Sequence, residues 1–167
     1  MISITPATES QLSIVQTIAY QTWPDTFAAI LSPEQIDYML AMMYSDEALK
    51  TQVTERNHVF LLAQERDNGS YLGFLSYELN YKGVPQTRIH KIYLLPASQG
   101  KGVGKQLIDK VTTLAKETQN DTLSLNVNRH NKAIQFYERL GFRHVANEQI
   151  DIGNGFIMDD YVMEKPL

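Results

Sequence analysis

A glycine-rich segment near the middle of the chain has residue types and spacing that could bind an anion. It runs Gln99-Gly100-Lys101-Gly102-Val103-Gly104-Lys105, with glycine at every second position and lysines among them. Glycine lacks a Cβ, so the backbone can approach a ligand closely. If a helix begins here, its first N–H groups have no internal partners and its dipole favours negative charge. These features predict a phosphate or pyrophosphate site, with Gly102 and Gly104 allowing the close approach.

The residues on either side of the loop predict the elements that would position it. Residues 89–95 are rich in β-branched and aromatic side chains and precede Pro96, which favours a strand that ends there. After the loop, apolar residues recur at helical spacing. They are Val103, Leu107, Ile108, Val111, Leu114 and Ala115. A strand, a glycine-rich turn and a helix N-terminus are together what an anion site of this kind needs.

The spacing within the loop excludes two common phosphate-binding motifs. A Walker loop has Ser or Thr directly after its lysine, but Gln106 follows Lys105. A dinucleotide-binding fingerprint requires Gly or Ala at the position where this chain has Lys105. What remains is Gln99-x-x-Gly102-x-Gly104 after a strand. This pattern resembles the acyl-coenzyme A signature of the GCN5-related N-acetyltransferases, the GNAT family.

A second segment resembles another hallmark of the same family. It begins at Asn131, continues through the pair Phe136-Tyr137 and ends in Gly141-Phe142. A strand is predicted between the two segments, because Leu123, Leu125 and Val127 alternate with polar residues. The two motifs therefore occur in the order that the family has them. A weaker resemblance to polyamine acetyltransferases covers residues 30–38 and 159–164.

The resemblance implies an α/β fold for residues 1–167 as a single domain. The expected sheet is mixed and mostly antiparallel, with about six or seven strands, splayed central strands and flanking helices. The sequence itself contains helix start signals at Thr8–Gln11 and at Ser32-Pro33. Pro24 predicts that the first helix ends near Thr22. A hairpin is expected around Gly153-Asn154-Gly155.

The resemblance also implies acetyl-CoA as co-substrate. The residues expected to hold it are Leu94, Leu95, Gln99, Gly100, Lys101, Gly102, Val103, Gly104, Lys105 and Asn131. The backbone of Leu94 and Leu95 would pair with the pantetheine arm, and the Leu94 N–H would stabilise the thioester oxygen. Asn131 would bind the arm through its amide or cap its helix. Tyr137 would give a proton to the leaving thiolate.

Two residues are candidates for the base that deprotonates the amine. Family members often place Glu or His on the central strand. At the start of that strand this chain has Arg88, which departs from the family's glutamate, and His90. Alternation predicts that Arg88, His90, Ile92 and Leu94 share one face. The intrinsic pKa of His90 suits a base, and Glu78 on the preceding strand is the alternative. We predict no metal in the reaction.

The acceptor is predicted to be a primary amine of a small molecule, such as a polyamine or an amino-acid derivative. Trp23, Phe27 and Tyr77 are expected to contact it. Acidic residues in the pocket-forming ends of the chain would pair with a cation that has an alkyl body. They are Asp25, Glu34, Asp37, Asp159 and Asp160. The alternatives are a non-catalytic acyl-CoA-binding module, a protein N-acetyltransferase and a nucleotide-phosphate-binding protein.

Composition limits the remaining classes of protein. With 167 residues the chain is long enough for one domain with a sizeable core. A net charge of −4 argues against a nucleic-acid partner. The absence of cysteine excludes disulfides, thiolate metal sites and a cysteine-acyl intermediate. No signal peptide or membrane helix is visible. We expect a cytoplasmic protein that binds no membrane, and we leave open whether it is a homodimer.

Overall fold

The computed structural model describes all 167 residues, and strands and helices account for most of them. The strands are β1 (Ile2–Pro6), β2 (Val59–Glu65), β3 (Tyr71–Glu78), β4 (Gln86–Leu94), β5 (Thr122–Asn128), β6 (Arg143–Gly153) and β7 (Phe156–Pro166). The helices are α1 (Leu12–Phe27), α2 (Pro33–Tyr44), α3 (Asp46–Glu55), α4 (Val103–Glu117) and α5 (Ala133–Arg139).

The seven strands form one sheet in the order β1-β2-β3-β4-β5-β7-β6. The β4–β5 pair is parallel and every other pair is antiparallel. On one face, α4 and α5 bury an apolar cluster that includes Leu107, Val111 and Tyr137. On the other face, α1, α2 and α3 bury a second cluster around Trp23 and Tyr44. The predicted α/β fold with a mixed, mostly antiparallel sheet is confirmed.

The helix starts follow the predicted capping residues. The Thr8 N–H donates to Gln11 Oε1 at 2.9 Å just before α1. The Gln35 N–H donates to Ser32 Oγ at 3.1 Å, with Pro33 in the first turn of α2. Such caps satisfy N–H groups that lack a partner within the helix. None of the helices combines the length and apolarity that crossing a bilayer requires.

The predicted end of α1 near Thr22 is wrong, because the helix continues through Pro24 to Phe27. Proline removes one intrahelical hydrogen bond, the one to the carbonyl of Tyr20. Tyr20 and Pro24 both lie on the exposed side of the helix, so water can reach that carbonyl. Continuing the helix also buries Trp23 and Phe27, whose ring centroids are 4.6 Å apart. This packing offsets the lost hydrogen bond.

A β-bulge in β4 changes which residues share a face. Tyr77 of β3 lies opposite Ile89, whereas the preceding Ser76 lies opposite Lys91, so His90 is the extra residue. Beyond the bulge, Ile92 and Leu94 pack against the same cluster as Ile89. The prediction that they share a face with Arg88 and His90 is therefore wrong. A bulge re-aims the side chain at which it occurs.

The parallel pair β4–β5 is joined along only part of its length. Paired residues run from Gln86 with Thr122 to Ile89 with Leu125. Beyond these, residues 91–94 and 126–128 diverge, which confirms the predicted splay of the central strands.

Candidate active site

The divergence of β4 from β5 opens a cleft of about 400 Å³. Its helix-side wall is apolar and is formed by Trp23, Phe27, Leu31, Met39 and Met43. The strands supply further lining residues, including Tyr93 and Leu94 from β4 and Asn126 from β5. Helix α5 contributes Phe136 and Tyr137. The cleft therefore lies where the predicted co-substrate and acceptor would meet.

The glycine-rich loop has the geometry of an anion cradle. Gly100 and Gly102 have φ angles of 78° and 67°, and a Cβ built on either would meet no atom within 4 Å. The first intrahelical bond of α4 runs from the Gln106 N–H to the Gly102 carbonyl at 3.0 Å. The N–H groups just before it have no backbone acceptor in the chain. They belong to Gly100, Gly102, Val103, Gly104 and Lys105. Such a row of free donors fits a pyrophosphate.

Gly104 is predicted to let the backbone approach a phosphate closely, but the structure gives a different reason for glycine at this position. A Cβ at this position would lie 2.9 Å from Phe136 Cζ and 3.2 Å from Leu94 Cδ1. Gly104 therefore lets α4 pack on α5 and β4, and only Gly100 and Gly102 leave open space over the cradle.

The two exposed lysines of the loop are bonded to carboxylates of the chain. Lys101 Nζ lies 3.4 Å from Glu65 Oε2, and Lys105 Nζ lies 2.8 Å from Asp109 Oδ2.

The backbone at the end of β4 distinguishes Leu94 from Leu95. The Leu95 N–H donates to the Leu72 carbonyl at 2.8 Å, and the Leu95 carbonyl accepts from the N–H and the hydroxyl of Ser98. Both backbone groups of Leu95 are thus bonded within the chain. Because N–H groups alternate along a strand, that of Leu94 is directed toward β5, where pairing with β5 has ended. Leu94 alone therefore offers the predicted free donor, and Leu95 does not. Gln99 is exposed on the loop, and its N–H donates to the Pro96 carbonyl.

Helix α5 places Tyr137 and Asn131 at the cleft. Tyr137 is buried between Phe136 and Phe142, with ring centroids 5.4 and 5.8 Å away. Burial raises the pKa of its phenol well above the usual range. Asn131 accepts a hydrogen bond from the Ala133 N–H through Oδ1 at 2.9 Å. Asn131 thus caps the start of α5 and also lines the cleft.

The two predicted bases are bonded to each other. His90 lines the cleft, and its Nε2 lies 3.0 Å from Glu78 Oε1. A third residue, His58, stacks on His90 with ring centroids 3.8 Å apart, and its Nε2 lies 3.6 Å from the same oxygen. Burial and neighbouring positive charges lower the pKa of both imidazoles, and burial raises the pKa of Glu78. Because the carboxyl of Glu78 has a raised pKa and the imidazoles beside it are neutral, these groups share a proton more readily than they form a fully charged pair.

Two of the three predicted acceptor contacts line the cleft. Trp23 and Phe27 do so, and Tyr93, which the sequence did not single out, packs 5.6 Å from Trp23 between ring centroids. Tyr77 does not: it is a core residue on the face covered by α4. Its predicted contact with the acceptor is corrected accordingly. Tyr77 faces that way because it lies opposite Ile89, before the bulge.

Among the predicted acids, Asp160 alone lines the cleft. Its side chain is buried, and its nearest donor is Asn126 Nδ2 at 3.5 Å. Burial raises the pKa of Asp160 to about 6. Asn126 Oδ1 is buried with no hydrogen-bond partner. This corner of the cleft therefore holds two under-satisfied acceptor groups. The other acids are exposed or, in Asp159, paired with Arg129 at 3.5 Å.

Lys91 is a cleft residue that no pattern in the sequence indicates. It is 8% exposed, and its Nζ donates to Gln52 Oε1 and lies 4.6 Å from the centre of the Tyr44 ring. Burial lowers the pKa of Lys91 to about 7. Its position on the α1–α3 face follows from the bulge, which no local pattern indicates.

Comparison with known proteins indicates the same family as the two sequence motifs do. The family model for the acetyltransferase (GNAT) domain matches residues 27–165. An uncharacterized N-acetyltransferase of Methanocaldococcus jannaschii is 38% identical over 80 residues, a match that covers 45% of this chain and 35% of that protein. The chain thus spans about a third of that relative. A spermidine N(1)-acetyltransferase of Thermoplasma acidophilum is 26% identical, with the match covering 85% of this chain and 86% of that enzyme.

A solved structure has the same fold. The PaiA N-acetyltransferase of Thermoplasma acidophilum, in complex with coenzyme A, superposes with a TM-score of 0.81 at 24% identity. The match covers 100% of this chain and 99% of that one. With a family model that spans most of its length, the chain belongs to the GNAT family of acetyl-CoA-dependent N-acetyltransferases.

Proposed function

We propose that this enzyme acetylates a primary amine of a small cationic molecule with an apolar body, by direct transfer while co-substrate and acceptor are bound together. The observation that carries the proposal is the cleft between β4 and β5. The cleft is lined by Leu94, whose N–H is free, and by Tyr137, and its lining also includes aromatic rings and the buried carboxylate of Asp160. A polyamine or an amino-acid derivative has this combination of an alkyl body and positive charge.

Acetyl-CoA supplies an acetyl group activated as a thioester. In the proposal, the free N–H groups of Gly100 and of residues 102–105 hold its pyrophosphate. The Leu94 N–H donates to the thioester oxygen, where negative charge develops during attack. The amide of Asn131 remains able to donate through Nδ2 to the pantetheine arm while its Oδ1 caps α5.

Proton transfer is assigned to Tyr137 and to the His90–Glu78 pair. The raised pKa of Tyr137 keeps its hydroxyl protonated at neutral pH, so that it can protonate the departing sulfur. In the proposal, His90, which lines the cleft, accepts a proton from the amine at its Nδ1. Its Nε2–H can then move to Glu78 Oε1, 3.0 Å away. The two predicted bases thus act as one relay rather than as alternatives.

The acceptor is proposed to bind between the aromatic wall and Asp160. Trp23, Phe27 and Tyr93 form a continuous aromatic surface that suits an alkyl chain and can make cation–π contacts. Asp160 and Asn126 Oδ1 both accept hydrogen bonds, and an ammonium group has three donors. The similarity to a spermidine N(1)-acetyltransferase over 85% of this chain supports a polyamine. A cytoplasmic location and a homodimer stay predictions.

A panel of amines tests this assignment. Thiol release from acetyl-CoA is measured with spermidine, lysine, an uncharged-tail monoamine and an anionic amine. We expect spermidine or lysine to have the highest kcat/KM. Asp160→Asn should raise the KM for spermidine and lysine, which have a second ammonium group, and leave that for the monoamine nearly unchanged. Asp159→Asn is the matched control, because Asp159 lies outside the cleft and pairs with Arg129.

Two results would contradict the proposal. If the anionic amine is preferred, the acceptor class is wrong although the transferase activity stands. If Asp160→Asn and Asp159→Asn have equal effects on KM, Asp160 does not contact the acceptor.

A further inference from the structure

Three side chains with metal-ligating atoms meet beside the cleft. His58 directly precedes β2, Glu78 ends β3, and His90 is the bulged residue of β4. His58 Nε2 and His90 Nε2 lie 3.6 and 3.0 Å from the same oxygen, Oε1 of Glu78. One ligand atom from each residue lies within 4.8 Å of the other two. The three residues will be called the His-Glu-His cluster.

The backbone fixes the cluster in place. Asn57 has a φ of 58°, in the left-handed region, and the His58 N–H donates to the Gln52 carbonyl at 3.0 Å. The bulge turns His90 toward its neighbours, and Glu78 pairs in register with Arg88. Ligands carried on adjacent strands need little ordering when an ion binds.

We propose that the His-Glu-His cluster binds one divalent transition-metal ion of the class that prefers imidazole, such as Zn²⁺ or Co²⁺. Two imidazole nitrogens and one carboxylate oxygen are a common ligand set for zinc. Ligands bonded at about 2.1 Å to a tetrahedral ion stand about 3.4 Å apart, and the two N–O distances of 3.0 and 3.6 Å lie on either side of that value. The stacked rings must turn toward the ion about their Cβ–Cγ bonds, a rotation within each side chain.

The surroundings select the kind of ion. The imidazoles are only partly exposed, and this desolvation favours their neutral, ligating form at pH 7. Positive charges lie nearby on Arg56, Arg88 and Lys91. They oppose an ion that is held by charge alone, such as Mg²⁺ or Ca²⁺, which also prefers oxygen ligands. An ion that bonds well to imidazole nitrogen is less dependent on net charge.

Metal binding would interfere with transfer, because His90 and Glu78 also form the proposed relay. An ion on Nε2 of His90 and on the carboxylate of Glu78 occupies the atoms between which the proton moves. We therefore expect Zn²⁺ to inhibit thiol release and EDTA to reverse the inhibition. The metal site itself rests on the positions of three side chains and does not depend on the proposed function.

The test uses the full chain without an affinity tag, stripped with EDTA. Zn²⁺ binding is measured by calorimetry and Co²⁺ binding by visible absorption. We expect one ion per chain, unaffected by a hundredfold excess of Mg²⁺. His58→Ala should weaken binding by at least about tenfold, since even the loss of an outer-shell partner costs that much. His144→Ala is the matched control, because His144 is exposed and bonded to Asn147 on β6.

Glu78→Gln is the second variant and keeps the size and shape of the side chain. Circular dichroism establishes that each variant is folded. The proposal is overturned if the wild-type protein shows no saturable binding. It is equally overturned if folded His58→Ala or Glu78→Gln binds as tightly as wild type, or if His144→Ala loses the ion. Activity in EDTA is a separate measurement, so a failed metal titration leaves the proposed transferase function untouched.

Discussion

Asp160 should make the stability of the protein fall as pH rises from about 4 to 7. The carboxyl is 4% exposed, and burial raises its pKa from the ordinary value of 3.8 to about 6. Between these two values the folded state holds a proton that the unfolded state has lost. By linkage, the stability due to the protonated group is present at low pH and is lost as pH rises through the folded pKa.

The size of the effect follows from the two pKa values. A shift of about two units corresponds to about 3 kcal/mol when both states are fully ionised. Between pH 4 and pH 7 the difference is about 2 kcal/mol, because the unfolded carboxyl is already partly ionised at pH 4. Asp160→Asn removes the titration while nearly preserving the shape of the side chain.

The assay is urea unfolding followed by circular dichroism at pH 4, 5, 6 and 7. The informative quantity is the free energy of unfolding of wild type minus that of Asp160→Asn, because other titrating groups cancel in it. We expect this difference to become less favourable to wild type by about 2 kcal/mol over the range. A difference that stays constant from pH 4 to 7 would refute the reasoning that a desolvated carboxyl faces the cleft.

Two further predictions concern the motifs. Tyr137→Phe keeps the ring packing and should lower kcat by roughly 10²- to 10⁴-fold, with the KM for acetyl-CoA nearly unchanged. Both constants are measured by steady-state thiol release. An unchanged kcat, under conditions where chemistry limits the rate, would remove Tyr137 from the mechanism. Gly102→Ala forces a side chain into the left-handed region at a cost of about 1–2 kcal/mol and places a methyl group over the cradle. It should weaken CoA binding in calorimetry more than Lys101→Ala does, whereas Gly104→Val should chiefly lower the melting temperature through overpacking of about 1–3 kcal/mol. Equal CoA affinities in Gly102→Ala and Lys101→Ala would contradict the cradle.

The parts of the site that follow from local sequence were predictable. The cradle is built from consecutive residues whose conformations depend on glycine, and the first N–H of α5 is satisfied by Asn131, two residues before it. Trp23 and Phe27 were recognised as pocket residues, although Pro24 between them suggested that the helix had ended. The helix continues because burying those rings outweighs one lost hydrogen bond, which is a tertiary effect.

The parts that depend on the sheet were not predictable. The bulge at His90 shifts every later residue of β4 relative to simple alternation, and a bulge leaves no clear mark in the sequence. Tyr77 is expected at the acceptor but is buried under α4. Both faces of this sheet are covered by helices, so an aromatic residue can be buried on either. The His-Glu-His cluster comes from the residue before β2, the last residue of β3 and the bulged residue of β4, which have no common spacing. Nothing short of the pairing of β2, β3 and β4 brings them together.

The incomplete pairing of β4 with β5 has a mechanical consequence. Four residue pairs join the two halves of the sheet at one end. Beside that junction, the buried Asn120 accepts from Thr87 Oγ1 at 2.7 Å and donates to Asn80 Oδ1 at 2.7 Å. From Ile89 to Leu94 the strand extends about 16 Å, so a tilt of about 5° at the junction moves Leu94 by roughly 1.4 Å. Displacements of about 1 Å at reacting groups can cost two orders of magnitude in rate. A substitution at Asn120, which lies outside the cleft, can therefore change turnover by altering the angle between two half-sheets.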